Sequence, residues 1–240
     1  MNGKQSRMGV VLFLFLYMLT NGCNGANVEG DNDPLEGGNR VFYGFNNLLD
    51  KAFIEPVAEL YMDHTPEPIR SGISNFFDNL AYPGVIINNI LQGKIKDGFK
   101  GTGRFLVNST IGIIGLFDPA THMGLQRQEE DFGQTLGAWG AGEGAYLVVP
   151  VIGPSSVRDA PGLVMELFTN LLYYVESSVM IPLIVVDTID RRADLLRITR
   201  LRDRSPLDPY LFTRDTYRQR RAYLIHDGKS LYEYDDEAFQ

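Results

Sequence analysis

The sequence predicts a mostly α-helical protein with very few strands. Apolar residues recur every three or four positions along several segments, which is the periodicity of helices that bury one face. Proline and glycine residues separate these segments at intervals typical of helix ends. Strand-like patterns are confined to residues 146–152 and 223–225, so no doubly wound sheet is expected.

The first 22 residues have the composition of a secretory signal. Lys4 and Arg7 supply a basic start, residues 8–19 form an apolar run, and small or polar residues follow at 20–22. A helix of this apolar run would extend about 18 Å, whereas the hydrocarbon core of a bilayer is about 30 Å thick. We therefore expect a signal that is removed rather than an anchor that spans the membrane.

Cys23 is the only cysteine in the chain and directly follows this segment. The lipid-modified N-terminus of a mature bacterial lipoprotein begins at such a position, so Cys23 is the predicted lipidation site. The preceding residues match the usual lipobox imperfectly, because Thr20 stands where leucine is typical. An ordinary cleaved signal without a lipid is the alternative.

The chain after the leader divides into three predicted parts. Residues 23–38 are rich in Gly, Asn, Asp and Glu, a composition typical of a flexible tether. Removal of residues 1–22 leaves 218 residues, and this length, with an apolar content of 44% in the whole chain, suits one substantial domain. Residues 39–226 are expected to fold as that helical domain. Residues 227–240 form an acidic C-terminal tail.

The charge pattern argues against nucleic acid as a partner. The leader carries two basic and no acidic residues, which leaves 20 Lys and Arg against 30 Asp and Glu and a net charge of −10. Ten of the sixteen arginines lie after residue 190, where they alternate with aspartates. We expect most of them to form ion pairs on solvated helix faces, with anionic lipid headgroups as the alternative partner.

The first helix is predicted over residues 39–53, with Asn39 as its N-cap residue. Pro56 is expected to end or kink this helix and to open a second, short one. A third helix is expected after Pro66, and further helical stretches at about 84–91 and 94–108. The residues expected to separate these stretches are Pro83, Gly93, Gly98, Gly101 and Gly103.

Residues 163–186 are almost continuously apolar but contain Glu166, Asn170 and Glu176, and Pro182 interrupts the end of the run. A carboxylate near the middle of a bilayer costs about 2.5–3.5 kcal/mol, so a simple lipid-exposed span is disfavoured. Two alternatives stay open. The segment forms buried core helices, or it lies in a membrane interface with its polar groups toward an inner cavity.

No catalytic arrangement is recognisable, and we predict neither an enzyme nor a cofactor or metal. The three histidines, His64, His122 and His226, are far apart in the sequence and lack a metal-ligand spacing. No serine nucleophile motif occurs. A series of glycines around Trp139 lacks the lysine of a phosphate-binding loop and is expected to form a bent, mobile or closely packed loop. These glycines are Gly133, Gly137, Gly140, Gly142 and Gly144.

Several long strings of unusual composition occur along the chain. In order, they are DPLEGGNRVFYGFNNLLDKAFIEPVAELY, NFFDNLAYPGVIINNILQGK, GRFLVNSTIGIIGLFDPAT, EEDFGQTLGAWGAGEGAYLVVPVIGPSSVRD and DPYLFTRDTYRQRRAYL. Together they resemble the MlaA/VacJ family of outer-membrane lipoproteins. The resemblance extends from about Asp33 to Tyr223 and departs from the family pattern at Gly38, where phenylalanine is usual, and at Ala145.

The resemblance implies a ring-shaped helical lipoprotein that is embedded in the inner leaflet of the outer membrane of a Gram-negative bacterium and has an amphipathic central channel. Such proteins take phospholipids misplaced in the outer leaflet and pass them to a soluble periplasmic carrier (MlaC-like), and many associate with trimeric porins. Two other classes stay open: a lipid-hydrolysing enzyme, and a structural lipoprotein of the cell envelope.

The pattern of large apolar and short polar residues suggests which side chains contact lipid. Within the first helix, Phe42, Phe45 and Leu49 are expected to contact acyl chains. Asn46, Asn47 and Asp50 are expected to face the polar route, and the alternative is that these three simply face solvent. The glycine series is expected to lie beside the channel and to permit the motion that opens it.

Overall fold

A computed structural model describes residues 33–228 and confirms the mostly α-helical prediction. Cys23, residues 24–32 of the predicted tether and the acidic tail beyond residue 228 lie outside the described residues, whereas residues 36–38 of that tether are helical. The helices are α1 (Glu36–Leu49), α2 (Glu55–His64), α3 (Glu67–Leu91), α4 (Ile95–Thr110), α5 (Pro119–His122), α6 (Phe132–Ala138), α7 (Ala160–Thr169), α8 (Ser177–Arg204) and α9 (Pro209–Ile225). A π-helical turn (Asp50–Ile54) joins α1 to α2, and a 3₁₀ turn (Leu171–Tyr174) precedes α8. The strands are β1 (Tyr146–Val149) and β2 (Gly153–Ser156).

The first helix begins three residues earlier than predicted. Asn39 is therefore not an N-cap but a buried residue within α1. The prediction that a second, short helix opens at Pro56 is confirmed, because this proline lies in the first turn of α2. The π-helical turn lets the chain run from α1 into α2 without leaving a helical conformation.

The prediction of a helix boundary at Pro83 is wrong, because this proline lies inside α3, which is 25 residues long. Proline removes one backbone hydrogen bond, but α3 packs against α4, α6, α7 and α8, and this tertiary packing outweighs local propensity. The predicted end at Gly93 is confirmed. Gly93 has a φ of 77°, and the amides of Gly93 and Lys94 donate to the carbonyls of Ile90 and Asn89, which is a Schellman motif.

The glycines predicted to break the next segment instead lie inside α4. A Cβ atom on Gly98 would stand 2.8 Å from Cγ1 of Ile90, and one on Gly101 would stand 3.2 Å from Cγ1 of Ile86. These glycines therefore allow the backbones of α3 and α4 to approach closely. Gly103 is also helical and was wrongly predicted as a boundary.

The strands form one antiparallel hairpin with Tyr146 opposite Ser156 and Val149 opposite Gly153. The predicted strand thus ends at Val149, because the chain turns through Val151 and Gly153, both with positive φ. The other predicted strand, residues 223–225, is the last turn of α9. Asp208 caps α9 by accepting from the amide of Tyr210 at 2.8 Å.

Two small clusters of buried apolar residues join elements within the described part of the chain. One consists of Ala58, Ala193 and Leu196 and joins α2 to α8. The other consists of Tyr146, Val148 and Tyr210 and joins the hairpin to α9.

Candidate functional site: an apolar exterior around a charged interior

The described residues have an inverted distribution of polarity. Forty large apolar side chains are exposed, whereas eleven apolar residues are buried. Fifteen polar or charged residues are buried, among them Arg104, Asp190, Arg192 and Arg214. Scattered exposed apolar residues are normal in a protein surrounded by water, but so many of them around an interior rich in buried polar groups suit a protein that is surrounded by lipid.

The apolar segment at residues 163–186 contributes much of this exterior. No residue of α7 is buried, and Val164, Leu167 and Phe168 on α7 are exposed. The buried-core alternative is therefore wrong for α7. None of the described helices combines the length and the hydropathy that would let it cross a membrane.

The polarity of α8 changes along its axis rather than around it. Its first ten residues, 177–186, are apolar apart from two serines, and the exposed residues among them include Val179, Ile181 and Val185. From Asp187 onward the helix is rich in Asp and Arg. Ten residues of helix extend about 15 Å, which is about half of the hydrocarbon thickness of a bilayer.

A second exposed apolar feature is the turn at residues 111–117, between α4 and α5. Ile113 and Ile114 have φ values of 54° and 56°, which are rare for β-branched residues, and their side chains are exposed. Gly115 follows with a φ of 94°. The turn presents its apolar side chains outward at the cost of a strained backbone.

The charged half of α8 meets α3 and the segment between α5 and α6 in a group of six residues, which we call the α3–α8 cluster: Arg70, Asp78, Arg127, Asp187, Arg191 and Asp194. Arg127 pairs with Asp78, and Nε of Arg191 lies 2.8 Å from Oδ1 of Asp187. Burial raises the pKa of Asp78 and of Asp187, and the neighbouring guanidinium groups only partly oppose this effect. The cluster thus brings together three basic and three acidic groups, and two further acids, Asp190 and Glu129, act on its carboxylates.

Buried polar contacts beside this cluster join α8 to the preceding helices. Asp190 accepts hydrogen bonds from the hydroxyl groups of Tyr61 at 2.7 Å and of Ser74 at 2.6 Å. Arg192 donates to Asp50 at 2.7 Å and also pairs with Glu55. The expectation that the arginines after residue 190 pair with acids is confirmed, but Arg192 is buried and not on a solvated face.

The residues of α1 that were predicted to contact lipid or to face a polar route differ in exposure and in their contacts. Phe42 and Phe45 are 44% and 46% exposed, whereas Leu49 is half-buried. Asn46 holds the hairpin turn, because its side chain accepts from the amide of Val151 at 2.7 Å and donates to the carbonyl of Val149. Asp50 pairs with Arg192, as described above, and the half-buried Asn47 lines a surface groove with Tyr43 and Lys51.

Asn39, which sequence reasoning assigned only to a helix end, is the main link between α1 and the hairpin. Its side chain donates to the carbonyl of Tyr146 at 2.9 Å and accepts from the amide of Val148 at 2.9 Å. It also donates to Asp33, which in turn accepts from the hydroxyl of Tyr210. The only signal in the sequence was a polar residue on the apolar side of a helix.

The predicted glycine loop is correct for only part of the series. Gly133 and Gly137 lie in α6 and are tightly packed, since a Cβ on Gly133 would stand 2.4 Å from Oδ1 of Asp159. Gly140, Gly142 and Gly144 lie in the segment before β1. Gly140 has a φ of 91°, and no atom lies within 4 Å of a Cβ placed on Gly140 or Gly142.

Two further ionic clusters were missed, because their members are far apart in the sequence. Arg104 donates to Asp118 at 2.6 Å and to the carbonyl of Leu125 at 2.7 Å. Arg221 pairs with both Asp131 and Asp159. Within residues 33–228 no group of three or more His, Cys, Asp or Glu side chains is arranged to hold a metal ion.

Comparison with known proteins identifies relatives of this chain. Residues 31–224 match the model of the family described as MlaA lipoprotein. The intermembrane phospholipid transport system lipoprotein MlaA of Escherichia coli (strain K12) is 37% identical over 214 residues, which are 87% of this chain and 85% of the relative. The protein of the same name from Haemophilus influenzae is 31% identical and covers 84% of this chain and 82% of its own.

A solved structure described as "Structural basis for maintenance of bacterial outer membrane lipid asymmetry" has the same fold. It matches with a TM-score of 0.71 at 37% identity, and the match covers 81% of this chain and 99% of that chain. The family match over nearly all of the described residues and the close structural match lead to one conclusion: this chain belongs to the MlaA lipoprotein family.

Proposed function

We propose that this protein is an outer-membrane lipoprotein that removes misplaced phospholipids from the outer leaflet and passes them to a soluble periplasmic carrier, so that the membrane keeps its lipid asymmetry. The observation that carries the proposal is the inverted distribution of polarity, because a phospholipid needs both a polar route for its headgroup and an apolar surface for its chains. The name of the Escherichia coli relative and the description of the solved structure support it.

The proposed location is the inner leaflet of the outer membrane. The apolar half of α8 has the length of about one leaflet of hydrocarbon, and α7 adds further exposed apolar residues. A lipidated Cys23 would supply a second attachment, which matters because one signal alone holds a protein at a membrane only weakly. The proposed partners are a periplasmic lipid carrier of the MlaC type and a trimeric porin.

The proposed route for the lipid passes α1 and the α3–α8 cluster. Phe42 and Phe45 present exposed rings to acyl chains. Asn46 and Asp50 hold the hairpin turn and α8, so their proposed role is to shape the polar side of the route rather than to bind a headgroup. Asn47 is half-buried and is the proposed polar contact on this helix.

The experiment that tests the function is the lipid content of the protein purified in mild detergent. Intact phospholipid, together with a loss of outer-membrane lipid asymmetry in a strain that lacks the gene, is the expected result. Recovery of hydrolysed lipid would favour a lipid-hydrolysing enzyme, and absence of lipid would favour a structural envelope lipoprotein.

Photo-crosslinking tests the proposed route. A photoreactive amino acid at Phe42 or Phe45 should capture phospholipid in cells. The same amino acid at Tyr223, which is 53% exposed on α9, provides a matched control. Equal capture at all three positions, or none at Phe42 and Phe45 in an active protein, would show that this assignment of the route is wrong.

A further inference from the structure

Two guanidinium groups of the α3–α8 cluster are more accessible than the acids that hold them. The side chain of Arg127 is 49% exposed, whereas that of its partner Asp78 is 22% exposed. The side chain of Arg191 is 54% exposed and that of its partner Asp187 is 22% exposed. The carboxylates of these two pairs are therefore less exposed, and the guanidinium groups are accessible to a ligand that approaches the cluster.

Both guanidinium groups have N–H donors that their ion pairs do not use. A guanidinium carries five N–H donors, and the ion pairs engage Nη1 of Arg127 and Nε of Arg191. The two groups also act on the same neighbours, because both lie within electrostatic range of Asp78 and of Asp194. Arg70 lies beside them, and its buried Nε donates to no described protein atom.

The cluster lies where α8 changes from apolar to charged. Arg191 and Asp187 form the first turn of the charged half, directly after the ten apolar residues 177–186. A ligand that contacts both halves must combine an apolar part of about 15 Å with a charged end. A phosphodiester suits the charged end because guanidinium groups bind planar pairs of phosphate oxygens in a fork-like geometry.

We propose that Arg127 and Arg191 bind the phosphodiester of a phospholipid whose acyl chains lie along the apolar half of α8. The inference rests on the proposed transport function and deepens it by naming the headgroup contact. With the neighbouring Asp190 and Glu129, the acids around the cluster outnumber its three arginines, so no large positive field holds the phosphate. Binding is consequently transient, as a transport route requires.

Direct binding to detergent-purified, full-length protein tests the inference. The probes are dihexanoylphosphatidylglycerol, dihexanoylglycerol, which lacks the phosphate, and inorganic phosphate. R191Q should weaken binding of the phospholipid by about tenfold, as expected for the loss of a charge-assisted hydrogen bond. The affinity for dihexanoylglycerol should not change. R127Q/R191Q should bind the phospholipid still more weakly, and R127K/R191K should lie between this variant and the wild type.

The matched control is R200Q. Arg200 lies on the same helix, is 51% exposed and pairs with one carboxylate, Glu59, but it faces α2 outside the cluster. R200Q should bind all probes like the wild type. An unchanged thermal unfolding midpoint of R191Q establishes that the variant is folded, and the exposure of the Arg191 side chain favours this result.

The outcomes separate the inference from the function on which it rests. Wild-type affinity of folded R191Q and R127Q/R191Q for the phospholipid, in a protein that still carries intact phospholipid, would overturn the inference alone. Equally strong competition by inorganic phosphate would also overturn it and would indicate a general anion site. A wild-type protein that binds neither lipid would overturn the proposed function.

Discussion

At the scale of single residues, side chains that join distant segments define the interior of the protein. Asn39 contacts Tyr146, 107 positions away. A sequence identifies Asn39 as polar and compatible with a helix end, but it does not say which strand will pass beside it. The ion pairs of Arg192 and Arg104 were equally inaccessible to sequence reasoning, because pairing requires knowledge of the packing.

Replacement of Asn39 by alanine should destabilise the protein by about 1–3 kcal/mol, because it leaves the amide of Val148 and the carbonyl of Tyr146 buried without their partner. The free energy of unfolding in detergent measures the effect. Asn47→Ala is the control, since Asn47 is half-buried on the same helix. Equal stability of the two variants would show that Asn39 does not link α1 to the hairpin.

Replacement of Asp118 by alanine should cost about 3 kcal/mol, because it leaves the buried Arg104 without its carboxylate. Burial acts to raise the pKa of Asp118, but hydrogen bonds from Thr121, Arg104 and Asn108 outweigh it and lower the pKa from 3.8 to about 2. The carboxylate therefore stabilises the fold fully above about pH 4 and loses this effect as the pH falls to about 2.

Unfolding measured against pH checks this prediction. The wild type should lose stability between about pH 4 and pH 2 by more than Asp118→Ala does. Asp97→Ala removes an exposed pair with Lys100 and should cost less than about 1 kcal/mol. Parallel pH profiles of the wild type and Asp118→Ala would contradict the assignment.

At the scale of elements, the sequence located helices better than their ends. Periodicity identified α1 and α4, and the start of α2 at Pro56 and the glycine stop of α3 were found from local chemistry. The boundary predicted at Pro83 is wrong, because the packing of α3 against four other helices overrides a local helix breaker. β2 was missed since its residues, GPSS, carry no strand pattern and are extended only by pairing with β1.

The turn at residues 111–117 depends on Gly115. Gly115→Ala should destabilise the protein by more than about 1 kcal/mol, because its φ is 94° and the new Cβ would stand 2.4 Å from Cβ of Asn79. Gly44→Ala should stabilise the protein by about 0.5–1 kcal/mol, since Gly44 lies within α1 with open space around it. Thermal unfolding of both variants tests the pair, and a shift of the same sign in both would refute the prediction.

The segment before β1 is the part of the glycine series that can still act as a gate. Gly142→Ala should reduce lipid transport without changing stability by more than about 0.5 kcal/mol, because open space surrounds Gly142 and the alanine only restricts backbone motion. Detergent sensitivity of cells and unfolding of the purified protein are the two measurements. Wild-type detergent resistance would indicate a static turn.

At the scale of the whole molecule, composition and family resemblance predicted a mostly helical lipoprotein of the MlaA family, and both predictions are confirmed. The location of the apolar segment, in the core or on the surface, was not predictable in the same way. Residues 163–186 were compatible with either a core or an interface, because periodicity does not distinguish a buried apolar helix from one that faces lipid. The exposure of α7 excludes the buried core for that part of the segment.

Attachment of the whole molecule should depend on Cys23 and on the apolar exterior together. Cys23→Ser should leave the fold intact but move the protein away from the outer membrane, because the exterior alone binds reversibly. Membrane fractionation and mass spectrometry of the mature N-terminus are the measurements. An unmodified Cys23 in the wild type, or unchanged localisation of the variant, would contradict the prediction.

The axial change of polarity in α8 should make the protein sensitive to the acyl-chain composition of the membrane. The ten apolar residues before Asp187 are a fixed length, whereas the thickness of a leaflet varies with the length and saturation of its acyl chains. A mismatch costs a fraction of a kcal/mol per ångström and is relieved by tilting or by local deformation of the bilayer. Longer chains would therefore draw Asp187 and Arg191 below the headgroup level, and the rate of lipid transfer would depend on the fatty acids that the cell synthesises.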